Sequence, residues 1–180
     1  DGMSDKPTIE TLLDRYCDSI LASGKSPKTA KWYREQSERF MRWLVANGLQ
    51  RGNWVRQDVI ELYLMHSRQE GNSPATVANH YRGLRGFFGW LAERGYIERS
   101  PMLGMKPPKV PKTEPKRAQL GEFERLLESI PADDWVGARD RLIIHILFMC
   151  GLRRGECADL VAEDFRLNEH LLIVRSGKTG

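Results

Sequence analysis

The densest chemistry in this 180-residue chain lies in its last third, where Cys150-Gly151-Leu152-Arg153-Arg154-Gly155-Glu156-Cys157-Ala158-Asp159-Leu160 follows a strongly apolar run. A guanidinium is planar and permanently charged, and its fork reaches two nonbridging oxygens of one phosphate. Gly151 lets the chain break and redirect. A helix starting just beyond it would hold Arg153 at its start, with Glu156 one turn on to orient the guanidinium. That arrangement suits the gripping of a phosphate. The same spacing also describes a plain surface Arg–Glu helix pair, the simpler reading on spacing alone.

Further on, Leu171-Leu172-Ile173-Val174 is β-like and runs into Ser176-Gly177-Lys178-Thr179-Gly180, a turn that offers Lys178 at a hairpin tip. Gly177-Lys178-Thr179 also ends like a phosphate-binding P-loop. That motif requires a glycine five positions before Gly177, where Leu172 stands, so the P-loop is excluded.

The elements that would carry these residues follow from periodicity. Leu120 starts a short helix with Phe123, Leu126, Leu127 and Ile130 on its inner face. Asp134-Trp135 precedes a helix, Ala138 to Met149, apolar nearly all round and therefore predicted to be buried. Upstream, four helices are predicted. Thr8 caps the first, with Ile9, Leu12, Leu13, Tyr16 and Ile20 on one face and Gly24 at its end. Ser26-Pro27 opens the second, to about Ala46, and Ser73-Pro74 opens the fourth, to about Arg94. The third runs from about Gln57 to Gln69.

The second and fourth helices carry polar faces of interest. Lys28, Lys31, Arg34, Arg39 and Arg42 fall roughly opposite the apolar stripe of the second helix, mixed with Glu35 and Glu38. On the fourth, Asn79, Arg82 and Gly86 lie across from Val77, Tyr81, Leu84, Phe87, Phe88 and Leu91, flanked by Gly83, Arg85 and Gly89. Each interior glycine costs about 1 kcal/mol against alanine. Three of them at three-residue spacing imply close approach, by another helix or by a nucleic-acid backbone. Paired helices with such faces fit a major groove, with basic side chains on phosphates. The candidate DNA contacts are Lys28, Lys31, Arg34, Arg42, Asn79, Arg82 and Arg85. A charged helix face is also, quite ordinarily, just solvated.

Charge and composition bound the rest. With 28 Lys+Arg against 24 Asp+Glu the chain is +4, and the excess sits in residues 1–110, which are +5 while 111–180 are −1. Between them, Pro101 to Arg117 holds five prolines with Lys106, Lys109, Lys112, Lys116 and Arg117, predicting an extended basic linker. The predicted organisation is a helical domain over 8–98, a linker over 99–117 and a further segment over 118–180. A hydrophobic share of 41% with 29% charged excludes global disorder. The apolar run Leu142–Leu152, interrupted by His145, is too short to span a bilayer, so no membrane is expected as a partner. No basic-then-apolar leader opens the chain, so no secretory signal is expected. Cys17, Cys150 and Cys157 form no CxxC pair, which points to a reducing cytoplasm without disulfides or a zinc ribbon.

In order, these signals resemble the tyrosine recombinase (phage integrase) family over essentially the whole chain. Ser26-Pro27-Lys28-Thr29 to Tyr33, and Ser73-Pro74-Ala75-Thr76 through Phe87-Phe88-Gly89-Trp90-Leu91, look like that family's core-binding domain. Tyr96-Ile97-Glu98-Arg99-Ser100-Pro101 is similar to the segment that leaves it. Arg139-Asp140, then Gly151-Leu152-Arg153 with Glu156 and Leu160, look like the opening of the catalytic domain. The resemblance implies a mainly α fold: a four-helix SAM-like core-binding domain joined by the Pro/Lys-rich linker to the start of an α+β catalytic domain. It implies site-specific DNA recombination or integration through a 3′-phosphotyrosyl intermediate. Arg153 would be the first catalytic arginine, Glu156 its supporting acid and Lys178 the hairpin lysine and general acid. The implied partners are double-stranded DNA and other recombinase protomers on it, with no metal, no small-molecule cofactor and a cytoplasmic, nucleoid-associated location.

Family members carry a His-x-x-Arg motif and a nucleophilic tyrosine after the hairpin lysine. This sequence shows neither after Lys178, and Tyr16, Tyr33, Tyr63, Tyr81 and Tyr96 all lie upstream. The expectation is therefore a DNA-binding chain that lacks its own nucleophile. Two alternatives remain: a non-catalytic DNA-binding regulator or integrase remnant, and a helical protein–protein adaptor.

Overall fold

The computed structural model describes residues 7–49, 55–112, 114 and 117–175. Seven α-helices and one short hairpin occur among them. By contacts the chain divides into two compact units, residues 1–113 and 114–180.

The first unit is built from α1 (Ile9–Ala22), α2 (Pro27–Ala46), α3 (Gln57–Gln69) and α4 (Pro74–Glu93). Their starts are written locally. The hydroxyl oxygens of Thr8, Ser26 and Ser73 accept the backbone N–H of Thr11, Thr29 and Thr76 at 3.2, 3.2 and 3.1 Å. Pro27 and Pro74 occupy the first turn, where a missing N–H costs nothing. Their ends share one device: Gly24, Gly48, Gly71 and Gly95 each stand two residues past the last helical residue with positive φ. The following N–H then reaches back to a carbonyl of the last turn, as Tyr96 N–H does to Leu91 O at 2.9 Å.

Inside, α2 packs on α4, α1 on α2 and α3 on α4. Phe40, Ile60, Tyr81, Leu84 and Phe87 are fully buried, within an aromatic cluster that also takes in Tyr16, Tyr63, Phe88 and Trp90. Two of the α4 glycines are explained by this packing. A Cβ on Gly83 would overlap Gln36 Cβ, and one on Gly86 would meet the Tyr16 hydroxyl at 2.6 Å and the Tyr33 ring at 2.8 Å. They face neighbouring helices, not an outer groove. Gly89 alone has open space.

The Pro/Lys segment departs from an extended path at its start. Residues 101–104 form turns, Met102 is buried in the helical core, and the Tyr81 hydroxyl donates to Met105 O at 2.6 Å. Residues 106–112 have no regular structure.

The second unit contains α5 (Leu120–Glu128), α6 (Trp135–Cys150), α7 (Arg154–Ala158), and strands β1 (Phe165–Arg166) and β2 (Leu171–Leu172). The strands pair antiparallel, Phe165 with Leu172 and Arg166 with Leu171. Phe123, Leu127 and Ile146 are buried, and Phe123 stacks on Phe148 with centroids 4.0 Å apart. Two expectations are corrected here. Leu126 is exposed, because α6 covers α5 only along the Phe123–Leu127 edge. The apolar α6 is not buried all round: Trp135, Val136, Leu142, Ile143 and Met149 are exposed. Among the described residues of the unit, α5 and α7 make the extensive contacts with α6, and two short helices cannot enclose a third.

Candidate nucleic-acid interface and arginine site

On α2, Lys28, Lys31 and Arg42 are exposed and, at 3.6 residues per turn, share one stripe. None pairs with an acid among the described residues. Arg34 is different. Its Nη2 lies 2.6 Å from Asp14 Oδ1 on α1 and its Nη1 3.7 Å from Glu38, and only a third of the side chain is exposed. Arg34 therefore fastens α1 to α2, and any role on DNA would first break that ion pair.

On α4, Asn79 and Arg82 are hydrogen-bonded to each other. Arg82 and Arg85 are exposed and unpaired with any acid among the described residues. Because Gly83 faces α2, Arg85, about 200° round the helix from it, lies on the far side of α4. Asn79, four residues before Gly83, stays near the crossing. The α2–α4 crossing is itself polar at its centre: His80 Nδ1 lies 2.8 Å from Gln36 Oε1, with both side chains buried. Burial pushes the His80 imidazole below its ordinary pKa, with the Arg39 charge acting the same way. Neither residue stands out in the sequence, since a polar residue on a helix reads as solvent-facing.

In the second unit, α6 ends at Gly151, whose φ of 64° is the left-handed conformation that glycine adopts without strain. The chain turns there, Arg153 becomes the N-cap of α7, and Glu156 reaches back. Glu156 Oε2 accepts the Arg153 backbone N–H at 2.7 Å and Oε1 accepts from Arg153 Nη1 at 2.5 Å. First the backbone N–H and then the guanidinium hold the Glu156 carboxyl below the usual carboxylate range. The clamp is asymmetric: the Glu156 side chain is 11% exposed and that of Arg153 71%. The acid is tucked in, and the guanidinium it orients is presented to solvent with donors to spare. The contact is an i,i+3 Arg–Glu pair at the start of α7 in which the acid is the more enclosed partner.

Lys178 lies outside the described residues. The turn between β1 and β2 is formed by Leu167–Glu169 and His170, so Lys178 follows this hairpin. At the hairpin's base stands a residue that sequence reading missed. Asp164 is 1% exposed; its Oδ2 accepts the Val161 N–H at 3.0 Å, and its Oδ1 lies 2.5 Å from Arg175 Nε. The only trace in the sequence is an acid three residues after the start of a turn, a spacing shared by many solvated carboxylates.

Comparison with known proteins agrees with the helical unit. Residues 13–95 match the phage integrase N-terminal SAM-like domain family. The first unit is therefore a SAM-like domain of the phage integrase type. The chain is 32% identical over 164 residues to the tyrosine recombinase XerD of Pseudomonas aeruginosa, covering 91% of this chain and 55% of that protein. It is 32% identical over 155 residues to XerC of Escherichia coli O157:H7, covering 84% of this chain and 51% of the relative. The integrase of mycobacterium phage Brujita aligns in structure with a TM-score of 0.49 at 22% identity, over 94% of this chain and 54% of that one. The chain is thus similar to tyrosine recombinases, and it spans about half the length of the curated relatives it matches.

Proposed function

We propose that the helical unit binds duplex DNA and that the second unit supplies part of a site for breaking and rejoining its strands. The observation that carries the reading is the exposed, Glu156-clamped guanidinium of Arg153. In strand exchange a tyrosine hydroxyl attacks the scissile phosphorus. The P–O bond to the 5′ oxygen breaks, and a 3′-phosphotyrosyl bond preserves the energy needed for rejoining. Negative charge grows on the nonbridging oxygens, where Arg153 donates. Lys178, as general acid, protonates the departing 5′ oxygen.

None of this chain's tyrosines suits the nucleophile's role. Tyr16, Tyr63 and Tyr81 are buried in the helical core, and burial pushes the Tyr16 and Tyr63 phenols up, the latter to about 12. Tyr96 accepts a hydrogen bond from Arg15, and Tyr33 packs edge-on against Tyr16 and Trp32. The nucleophile comes from residues other than these 180, and the strand exchange itself engages further protomers. No helix among the described residues is long and apolar enough to cross a membrane. A cytoplasmic location on the nucleoid accompanies this reading.

The test has two arms. The 180-residue chain is mixed with duplex DNA; binding without a covalent protein–DNA adduct is expected. The chain is then joined to the His-x-x-Arg and tyrosine segment of a family relative. Arg153→Ala in that protein is expected to lower cleavage by about 10²–10³-fold with DNA binding retained. Full cleavage by the variant overturns the assignment of Arg153.

A further inference from the structure

The helical unit has a second charged feature besides the exposed lysines of α2. A cleft of about 340 Å³ opens between the C-terminal half of α2, the end of α3 and the start of α4. Arg39 and Arg42, three residues apart on α2, stand at its rim, and neither has a carboxylate partner among the described residues. Glu70, the acid of the cleft, lies 3.5 Å from His66 Nε2. The lining therefore holds two unopposed guanidiniums against one carboxylate that already has a neighbour.

The walls are aromatic. Trp43 packs on Tyr63 with centroids 5.4 Å apart and on His66 at 5.9 Å. The Tyr63 ring is buried, and its hydroxyl has no hydrogen-bond partner among the described residues. With its pKa raised by burial it keeps its proton and remains a donor. His80 also lines the cleft. Because Gln36 Oε1 only accepts, Nδ1 of His80 carries the hydrogen, and that bond fixes the ring.

We infer that this cleft takes one backbone phosphate of bound duplex DNA, gripped by Arg39 and Arg42 with Tyr63 as a neutral donor, a proposal that rests on the DNA-binding reading above. Continuity favours a polyanion over a single acidic side chain. Lys28, Lys31, Arg39 and Arg42 fall on one stripe of α2, interrupted by Glu35, and extend over about 21 Å of helix. A ligand carrying regularly repeated charges meets the whole stripe, whereas an isolated carboxylate meets one end. Arg39 is the residue that this inference adds, since its place on the α2 surface alone does not distinguish it from a solvated arginine.

The experiment is fluorescence anisotropy of the 180-residue chain with labelled duplex DNA between 50 and 200 mM salt, for the parent, Arg39→Gln, Tyr63→Phe and Lys28→Gln/Lys31→Gln. Circular dichroism and melting confirm that each variant is folded. For Arg39→Gln, affinity is expected to fall about 3–10-fold at 100 mM salt, with the log–log salt slope shallower by about 0.9, the value of one phosphate contact. Tyr63→Phe should weaken binding with the slope unchanged, because no charge is lost. A parent-like slope in Arg39→Gln, alongside a shallower one in Lys28→Gln/Lys31→Gln, overturns the cleft while leaving DNA binding intact. Absence of salt-dependent binding by the parent overturns both. Retention of a labelled glutamate-rich peptide by the parent and not by Arg39→Gln, with DNA binding equal in the two, assigns the cleft to a protein carboxylate and also overturns the proposal.

Discussion

Replacing Gly83 by alanine should destabilise the helical unit even though alanine is the better helix former. Relieving a mid-helix glycine is worth about 1 kcal/mol. Against this, the new methyl group would overlap Gln36 Cβ and lie 2.7 Å from its Cγ. These atoms sit next to the α2 backbone and cannot swing aside, so α2 and α4 must separate where the His80–Gln36 hydrogen bond spans them. Over-packing of this kind costs about 1–3 kcal/mol. The net expectation is a loss of up to about 2 kcal/mol, or up to roughly 15 °C in Tm for a unit of about 100 residues. Gly89→Ala is the matched control. Its methyl meets nothing within 4 Å, and a gain of about 0.5–1 kcal/mol is expected. Gly86→Ala falls between them, because the obstructing atoms are the outer ends of Tyr16 and Tyr33, which can move. Urea and thermal unfolding followed by circular dichroism read all three. Equal stability of the Gly83 and Gly89 variants would refute the claim that Gly83 is there for helix contact.

Other outcomes follow from single observations. Ser26→Ala and Ser73→Ala should each cost about 1 kcal/mol in urea unfolding, since each hydroxyl satisfies an N–H of the first turn; a loss confined to a few tenths in both would show that the caps contribute little here. Below the ordinary histidine pKa of 6.5 the unfolded chain takes up a proton that buried His80 resists, so stability is full above that value and declines as pH falls through it. His80→Asn should flatten the pH dependence of Tm between pH 7 and 5, and an unchanged slope would exclude His80 as its source. Glu156→Gln keeps an acceptor for the Arg153 backbone but loses the charge that orients the guanidinium. In the protein carrying the relative's tyrosine segment it should slow cleavage less than Arg153→Ala does, and equal losses would show that Glu156 does more than position.

Helix boundaries were legible because the chain punctuates them locally. Thr8, Ser26-Pro27 and Ser73-Pro74 act within one turn and need no tertiary partner. The Arg153–Glu156 unit was legible for the same reason, its whole geometry being contained in a glycine break and four residues. What resisted reading depends on contacts distant in sequence. A pattern of three glycines cannot say whether the missing side chains make room for solvent, a phosphate or another helix, and only the position of Gln36 settles it for Gly83. Arg34 belongs to the same periodic set as Lys28 and Lys31 but is drawn out of it by Asp14, 20 residues away. The apolarity of α6 predicted burial, which requires neighbours on every side. The Gln36–His80 bond joins residues 44 apart whose polarity disguises their burial.

The fastening of Met102 and Met105 onto α4 decides where this domain can be cut. A shortened protein ending at residue 98, where helical periodicity fades, would withdraw the Met102 side chain from beneath the bundle and leave the Tyr81 hydroxyl without its acceptor. The smallest self-sufficient piece therefore runs through Met105. Trypsin acting at Lys109, whose bond to Val110 is not protected by proline as that of Lys106 to Pro107 is, should release it whole, as a ready starting material for studying DNA recognition apart from strand cleavage.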